Sequence, residues 1–187
     1  MPMIRETIVT TVDGAGAVHI APLGIIADGE HWIIAPFRPS RTLENLRAVP
    51  HAVASHVDDV RIFAGCLTGR RDWPVVATES PVPRLAAALA HWELAVEGLS
   101  ENEERPRFRA RRVRAVSHAP FNGFNRAQAA VVELAILSSR LDRLPREKVA
   151  RETAYLSTAV EKTAGPQEAE AWAWLMRRIF DFYGGAP

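Results

Sequence analysis

The sequence predicts a mainly β protein: a small closed or half-closed antiparallel barrel of about six strands, followed by a helical appendage. Three observations carry this. The first 76 or so residues consist of β-branched runs punctuated by Asp-Gly dipeptides, the signal of consecutive hairpins. A basic β-branched run near residue 110 returns to the sheet. From Asn125 onward the apolar residues fall at helical spacing and the chain becomes rich in alanine and leucine.

Residues 5–12 form the first strand, rich in threonine, valine and isoleucine, and end at Asp13-Gly14. Residues 18–26 form the second, interrupted by Pro22 and Gly24; this pair predicts a bulge or a place where a ligand lies close to backbone. Asp28-Gly29 closes that strand and residues 31–37 make the third. A short helix follows at 42–48, then a strand at 51–57. Residues 60–68 fit a helical turn or a further strand, and periodicity does not separate the two. Residues 82–99 carry Leu85, Leu89, Trp92 and Val96 at helical spacing, with Ser80 or Pro81 before them and Gly98 near the end, and so predict a helix. Residues 107–118 read as a strand. Three helices complete the chain, at 126–141, from Pro145 in a first turn to Thr163, and at 167–183 after Gly165-Pro166. The last carries Trp172, Leu175, Met176, Ile179 and Phe180 on one side, a packing face. The organisation is a single domain over 1–187, with a helical segment at 82–99 and a helical extension at 125–185.

Composition narrows the function classes. With 187 residues, 48% hydrophobic and 24% charged, the chain has ordinary globular composition and enough length for a substantial core. A formal net charge of +1 provides no field for nucleic acid or an acidic membrane surface. Cys66 is the one cysteine, which excludes an internal disulfide framework and a multi-cysteine metal site. It lies in an apolar run that suits packing better than nucleophilic chemistry. No apolar run approaches the roughly 20 residues of a membrane span. The first residues lack the apolar core of a signal peptide, so a soluble cytoplasmic protein is expected.

The segment 38–47 is the most informative. It follows an apolar strand and combines the guanidiniums of Arg38 and Arg41, the hydroxyls of Ser40 and Thr42, and the start of a helix that also carries Asn45. Phosphate recognition calls for that mixture of forked charged donors, neutral donors and unpaired helix amides. The same residues also suit a plain helix cap, with Ser40 or Thr42 capping and Arg41 and Glu44 as solvated charges.

The six histidines, His19, His31, His51, His56, His91 and His118, show no metal-ligand spacing. His51 and His56 are five apart and fall on opposite faces of a strand. His56, Asp58 and Asp59 offer an imidazole and two carboxylates at a strand end, where a solvated turn competes with a divalent metal; no metal site is assigned. There is no Gly-x-Ser-x-Gly elbow, Walker loop or Gly-x-Gly-x-x-Gly loop, and Gly14 to Gly16 leads into a strand as a hairpin turn. The loop at 119–127 is rich in glycine and asparagine and enters a helix that Asn122 or Asn125 can cap. Arg126 in its first turn opposes the helix dipole unless an anion lies nearby, and Glu133 is two turns away.

Taken together, Ala21, Pro22, Leu23 and Gly24, then Ser40, Arg41, Thr42, Asn45 and Leu46, then the strand end Ser55, His56, Val57, Asp58 and Asp59 with Ile62, Phe63 and Ala64, then the helix start Phe124, Asn125, Arg126 and Ala127, occur in an order that resembles a known family. It is an uncharacterised family of FMN-binding split-barrel proteins from methanogenic archaea and methylotrophic and related bacteria, within the superfamily of flavin reductases and pyridoxamine-phosphate oxidases. The resemblance covers most of the chain. It implies a six-stranded antiparallel Greek-key split barrel that forms a homodimer, with FMN in the groove between subunits. Ser40, Arg41 and Thr42 then match the phosphate-binding residues, with Arg38 and Asn45 as neighbours. Ala21, Pro22, Leu23 and Gly24 run along the isoalloxazine. Ser55, His56, Val57, Asp58 and Asp59 face its pyrimidine side or the ribityl chain, and Asn125 and Arg126 approach it from the other subunit. Relatives commonly carry Asn at the strand end where this chain has Ser55-His56, and His56 then donates in its place. The resemblance implies a flavin-dependent oxidoreductase acting on a small molecule, linked by analogy to pterin-dependent one-carbon metabolism; a non-catalytic FMN carrier or sensor is the alternative, and a structural dimer whose phosphate loop holds only a counter-ion a third.

Overall fold

Eight strands and five α-helices, with a short 3-10 helix at Leu141–Arg143, arise in the order the side chains dictate, in a computed structural model that describes residues 2–101 and 104–185. The strands are β1 (Ile4–Val12), β2 (Val18–Asp28), β3 (His31–Ile34), β4 (His51–His56), β5 (Val75–Val76), β6 (Arg84–Leu85), β7 (Ala90–Ser100) and β8 (Arg107–Ser117). The helices are α1 (Arg41–Ala48), α2 (Arg61–Leu67), α3 (Arg126–Ser138), α4 (Arg146–Thr163) and α5 (Pro166–Tyr183). The chain divides into two compact units. One comprises Met1–Val57 and Trp73–Phe121; the other comprises Asp58–Asp72 and Asn122–Pro187.

The first unit is a closed antiparallel barrel in the order β1-β2-β3-β8-β7-β4, with β5 and β6 as a separate two-stranded sheet. Both Asp-Gly turns form. Asp13 accepts from the amides of Ala15 and Ala17 at 2.9 Å each through Oδ1, and Gly16 takes the left-handed φ of +84°. At the second turn Gly29 itself is left-handed, at +62°. The interior is narrow, as six strands require. It is filled by Val9, Ile25, Ile34, Leu94 and Phe108, with Ala52, Ala54 and Ala110 as small neighbours. Leu43 and Leu46 of α1 join this same cluster, and Asn45 donates to Thr11 at 3.0 Å, so α1 is anchored to β1 on a buried polar bond.

The seam of the barrel follows from strand lengths. β3 has four residues, whereas β2 and β8 have eleven each. β3 pairs with β2 only over Ile26 to Asp28 and with β8 only over Phe108 to Arg111. The rest of β2 and β8 has one edge without a partner strand among the described residues. Pro22, which has no N–H, is tolerated on such an edge.

Two expectations are corrected here. The Pro22–Gly24 bulge does not form: β1 and β2 pair in unbroken register from Ile4↔Ile26 to Val12↔Val18. Gly24 answers a different need, since a Cβ there would lie 2.7 Å from Ile4 Cγ2 and 3.0 Å from Glu6 Oε1. The helix at 82–99 is replaced by β6 and β7. Its periodicity misled because both faces of β7 are buried at the start: Trp92 and Leu94 pack toward the barrel core, while His91 and Glu93 are buried on the other face. Two register shifts, at Glu93/Leu94 and Val96/Gly98, then break the alternation.

In the second unit, residues 60–68 resolve as the helix α2. Leu175 and Ile179 of α5 are fully buried, with Ala171 one turn earlier, whereas Trp172 and Met176 are half-buried and Phe180 is exposed. Arg178 donates to the carbonyls of Leu67 (3.0 Å) and Ser138 (3.2 Å), the last residues of α2 and α3, and so satisfies both helix ends. Pro145 precedes α4 at its cap rather than in its first turn. Among the described residues, no helix is long and apolar enough to cross a membrane.

Candidate functional site

The start of α1 gathers donors. Ser40 is its N-cap, and its Oγ accepts from the Leu43 amide at 3.3 Å, leaving the hydroxyl hydrogen to donate outward. Thr42 is buried, and its hydroxyl makes no hydrogen bond among the described residues. The amides of Arg41 and Thr42 have no acceptor among the described residues, as expected for a first turn. Arg41 is exposed and has no acidic partner among the described residues. Two hydroxyls, two amides and one guanidinium therefore face no acceptor among the described residues. Arg38 and Asn45 differ. Arg38 forms an ion pair with Glu101, which also holds Arg47 at 2.6 Å, and Asn45 is committed to Thr11.

The strand end of β4 makes a second polar set. Ser55 is fully buried and its Oγ accepts from the Leu85 amide at 3.2 Å. His56, the last residue of β4, lies edge-on to Trp92 with centroids 4.5 Å apart, and Trp92 meets Trp32 at 4.7 Å. The His56 Nε2 is buried without a hydrogen-bond partner among the described residues, a state that costs about 1–3 kcal/mol. Burial, with the charges of Arg5 and His91, holds this imidazole below its ordinary pKa. Arg5 and Arg112 flank Trp92 at 5.8 and 4.9 Å from its ring, and neither has an acidic partner among the described residues. Ala21, Pro22, Leu23 and Gly24 are half-buried on the open-edged stretch of β2, and the Leu23 carbonyl accepts from Thr7. Val57 is half-buried beyond the strand.

The remaining residues singled out in the sequence belong to the second unit. Asp59 is bound by Arg61, with Nη2 2.8 Å from Oδ2 and Nε 3.0 Å from Oδ1, and this arrangement opens α2. Asp58 is half-buried and has no such partner. Asn125 caps α3: its Oδ1 accepts from Ala127 at 2.7 Å and its Nδ2 donates to the Thr163 carbonyl at 3.0 Å. Arg126 is exposed, with no ion pair among the described residues. No group of three metal-ligating side chains occurs among the described residues.

Sequence reasoning missed Arg5, Trp92 and Arg112. Their convergence depends on the pairing of β7 with β4 and β8, which places Trp92 opposite Ala54 and Ala115. Small residues opposite a tryptophan were the available signal, but they become visible only once the register is known.

A six-stranded antiparallel barrel with a short third strand, an open seam and a helix plugged into its core defines the split-barrel fold. The likeness to solved structures agrees. An FMN-bound protein from Methanosarcina mazei superposes with a TM-score of 0.81 at 21% identity, over 95% of this chain and 96% of that one. A Pseudomonas fluorescens 2-nitrobenzoate 2-nitroreductase gives 0.52 at 20% identity, over 63% of this chain and 66% of that one. An FMN-binding protein from Thermus thermophilus with bound 1-cyclohex-2-enone gives 0.52 at 16%, over 63% and 71%. The chain belongs to the DUF447 family: the model of its N-terminal domain, described as a protein of unknown function, matches residues 5–119, and that of its C-terminal part matches residues 125–177. None of the curated proteins matches the chain in sequence.

Proposed function

We propose that this protein binds FMN and, as a homodimer, uses it in the oxidation or reduction of a small molecule. The observation that carries the reading is the start of α1, where Ser40, Arg41 and Thr42 hold five donor groups with no acceptor among the described residues. A phosphate monoester dianion is the ligand such a set matches. The orphaned Nε2 of His56 fits the same ligand at its other end, because a heteroaromatic ring edge offers the hydrogen-bond partner that the protein withholds. The FMN bound by the Methanosarcina mazei protein of this family supports the reading further.

Bound FMN supplies the redox chemistry. The chain's own residues have simpler tasks. Arg41 and the α1 amides bind the phosphate. His56 and the half-buried β2 segment orient the ring. Arg5 and Arg112 place positive charge beside it, which favours an electron-rich ligand. Arg126 has no ion pair among the described residues, and in the proposed dimer it meets the negative charge of the bound ligand.

Titration with FMN, followed by fluorescence quenching or calorimetry, tests the proposal. Binding at or below about tens of micromolar is expected, and its absence there overturns the reading. FAD should bind less well, since its phosphates are not terminal. Sedimentation of the apo and FMN-loaded protein tests assembly: a monomer that binds FMN tightly overturns the dimer.

A further inference from the structure

Strands β7 and β8 bring together three titratable side chains that the site above does not use. His91 is buried, and its Nδ1 lies 2.8 Å from Nε2 of His118. Its Nε2 lies 3.4 Å from Oε1 of Glu93, which is buried on the same face of β7. The planes of the two imidazoles agree within 3°, the geometry of a bond running nitrogen to nitrogen in line. His118 stands one residue past β8, where its amide donates to the Leu89 carbonyl at 2.7 Å. Leu89 in turn donates to the His56 carbonyl at 2.9 Å, so the three side chains serve the barrel end at which β4 stops.

With Glu93 as a carboxylate and both imidazoles neutral, the donor and acceptor rules leave this chain one arrangement. A carboxylate only accepts, so the hydrogen between Glu93 and His91 sits on His91 Nε2. The other nitrogen of a neutral imidazole then accepts, so His91 Nδ1 takes a hydrogen from His118 Nε2. His118, when neutral, is left with a bare Nδ1. That atom makes no hydrogen bond among the described residues, and His118 is exposed. The orienting carboxylate and imidazole thus select a tautomer, as the buried carboxylate does for the histidine of a hydrolase triad.

We propose that His118 is a proton acceptor for a small molecule with an acidic N–H or O–H group, with His91 and Glu93 as the positioning residues behind it. In the step, the N–H or O–H bond breaks and its electron pair stays on the ligand. The proton bonds to the lone pair of His118 Nδ1. No electron is transferred. The imidazolium that forms keeps its Nε2 hydrogen on His91 Nδ1, with Glu93 behind His91. From β6, the charge of Arg84 faces His118 and favours the ligand anion; from β8, Arg114 lies 3.8 Å from Glu93 and also pairs with Glu79. Partial desolvation of the ring, with the charges of Arg84 and His91, holds the His118 imidazole below its ordinary pKa and so favours its neutral form. The proposal rests on these side chains and does not require FMN to be the ligand.

Two measurements on the full chain test it. Nitrogen-15 NMR of the imidazoles should show neutral His118 in one dominant tautomer, with hydrogen on Nε2. Free interchange of both tautomers, as in an isolated imidazole, overturns the proposal. Diethylpyrocarbonate, with mass spectrometry to locate the adduct, reads the lone pair directly. Glu93→Gln lets the amide donate or accept, so both tautomers become possible and His118 should react slower by about twofold or more. Equal rates in a folded Glu93→Gln protein overturn the relay. If that variant does not fold, the NMR result on the unaltered protein still decides. Neither readout depends on FMN, so a failed FMN titration leaves this result standing.

Discussion

Two helix starts in this molecule have nearly the same sequence logic and opposite availability. At α1 a Ser cap is followed by Arg41 and Thr42; at α3 an Asn cap is followed by Arg126. At α3 the cap is saturated: Asn125 accepts from Ala127 and donates to the Thr163 carbonyl, and the Ala127 amide also reaches Thr163 Oγ1 at 3.0 Å. At α1 the Ser40 oxygen holds one amide and keeps its hydrogen, while the Thr42 hydroxyl and two further amides have no acceptor among the described residues. A polar residue followed by an arginine therefore does not distinguish a cap from an anion site. What distinguishes them is whether neighbouring elements consume the donors, as the end of α4 does for α3.

The largest test of this contrast is Arg41→Ala. A charge-assisted hydrogen bond contributes about 1.5–3 kcal/mol, so FMN affinity should fall by about ten- to a hundredfold, measured by titration. Riboflavin, which has no phosphate, should bind as before. Equal losses for both would mean that Arg41 supports the fold instead. Asn125→Ala should behave in the opposite way: stability falls by about 1–2 kcal/mol in urea unfolding, because a cap with its tie to α4 is lost, and FMN affinity holds. Ser40→Ala should show both effects at smaller size, about 1 kcal/mol of stability together with a loss of FMN affinity of severalfold. A Ser40 variant that loses stability alone would break the comparison.

Much of this was legible from residues. The Asp-Gly turns, the β-branched runs and the Ala-rich helices are local signals, and each produced its element within a few positions. β7 was not legible, because its pattern is set by what lies across the strand. His91 and Glu93 are polar yet buried, so polarity ceased to report the outside face. Six strands were anticipated, but the sixth lay inside the segment read as helix. The site divides in the same manner. Ser40, Arg41 and Thr42 could be singled out because a local motif holds them. The commitments of Arg38 to Glu101 and of Asp59 to Arg61 required the folded chain, the first because its partner is 63 residues away. The cluster of Arg5, Trp92 and Arg112 comes from three strands and has no motif at all.

A smaller effect separates the β4 end from both helix starts. His56 is held below the ordinary histidine pKa of 6.5, so below that pH the unfolded chain binds a proton that the folded protein refuses. Stability is then constant above the ordinary value and falls as pH drops from there toward the lowered one. His118 is shifted in the same direction and adds to the slope. His56→Asn should make the slope shallower without removing it, in urea unfolding between about pH 5 and 8. An unchanged slope would show that His56 meets no greater desolvation than an exposed imidazole.

The smallest effect belongs to Arg126, and its sign carries the information. An arginine in the first turn opposes the helix dipole, and here no acidic side chain offsets it among the described residues. In the ligand-free protein, Arg126→Ala should therefore raise stability slightly, by about 0.3–1 kcal/mol, as a small upward shift of the thermal midpoint. With FMN bound in the proposed dimer the response should be the other way, with affinity weakened a few-fold, less than for Arg41→Ala because the α3 cap donors are already taken. A residue kept where it opposes the fold gains its place from what it binds. If Arg126→Ala destabilises the ligand-free protein and leaves FMN affinity unchanged, its role is structural, and the two helix starts differ only in their caps.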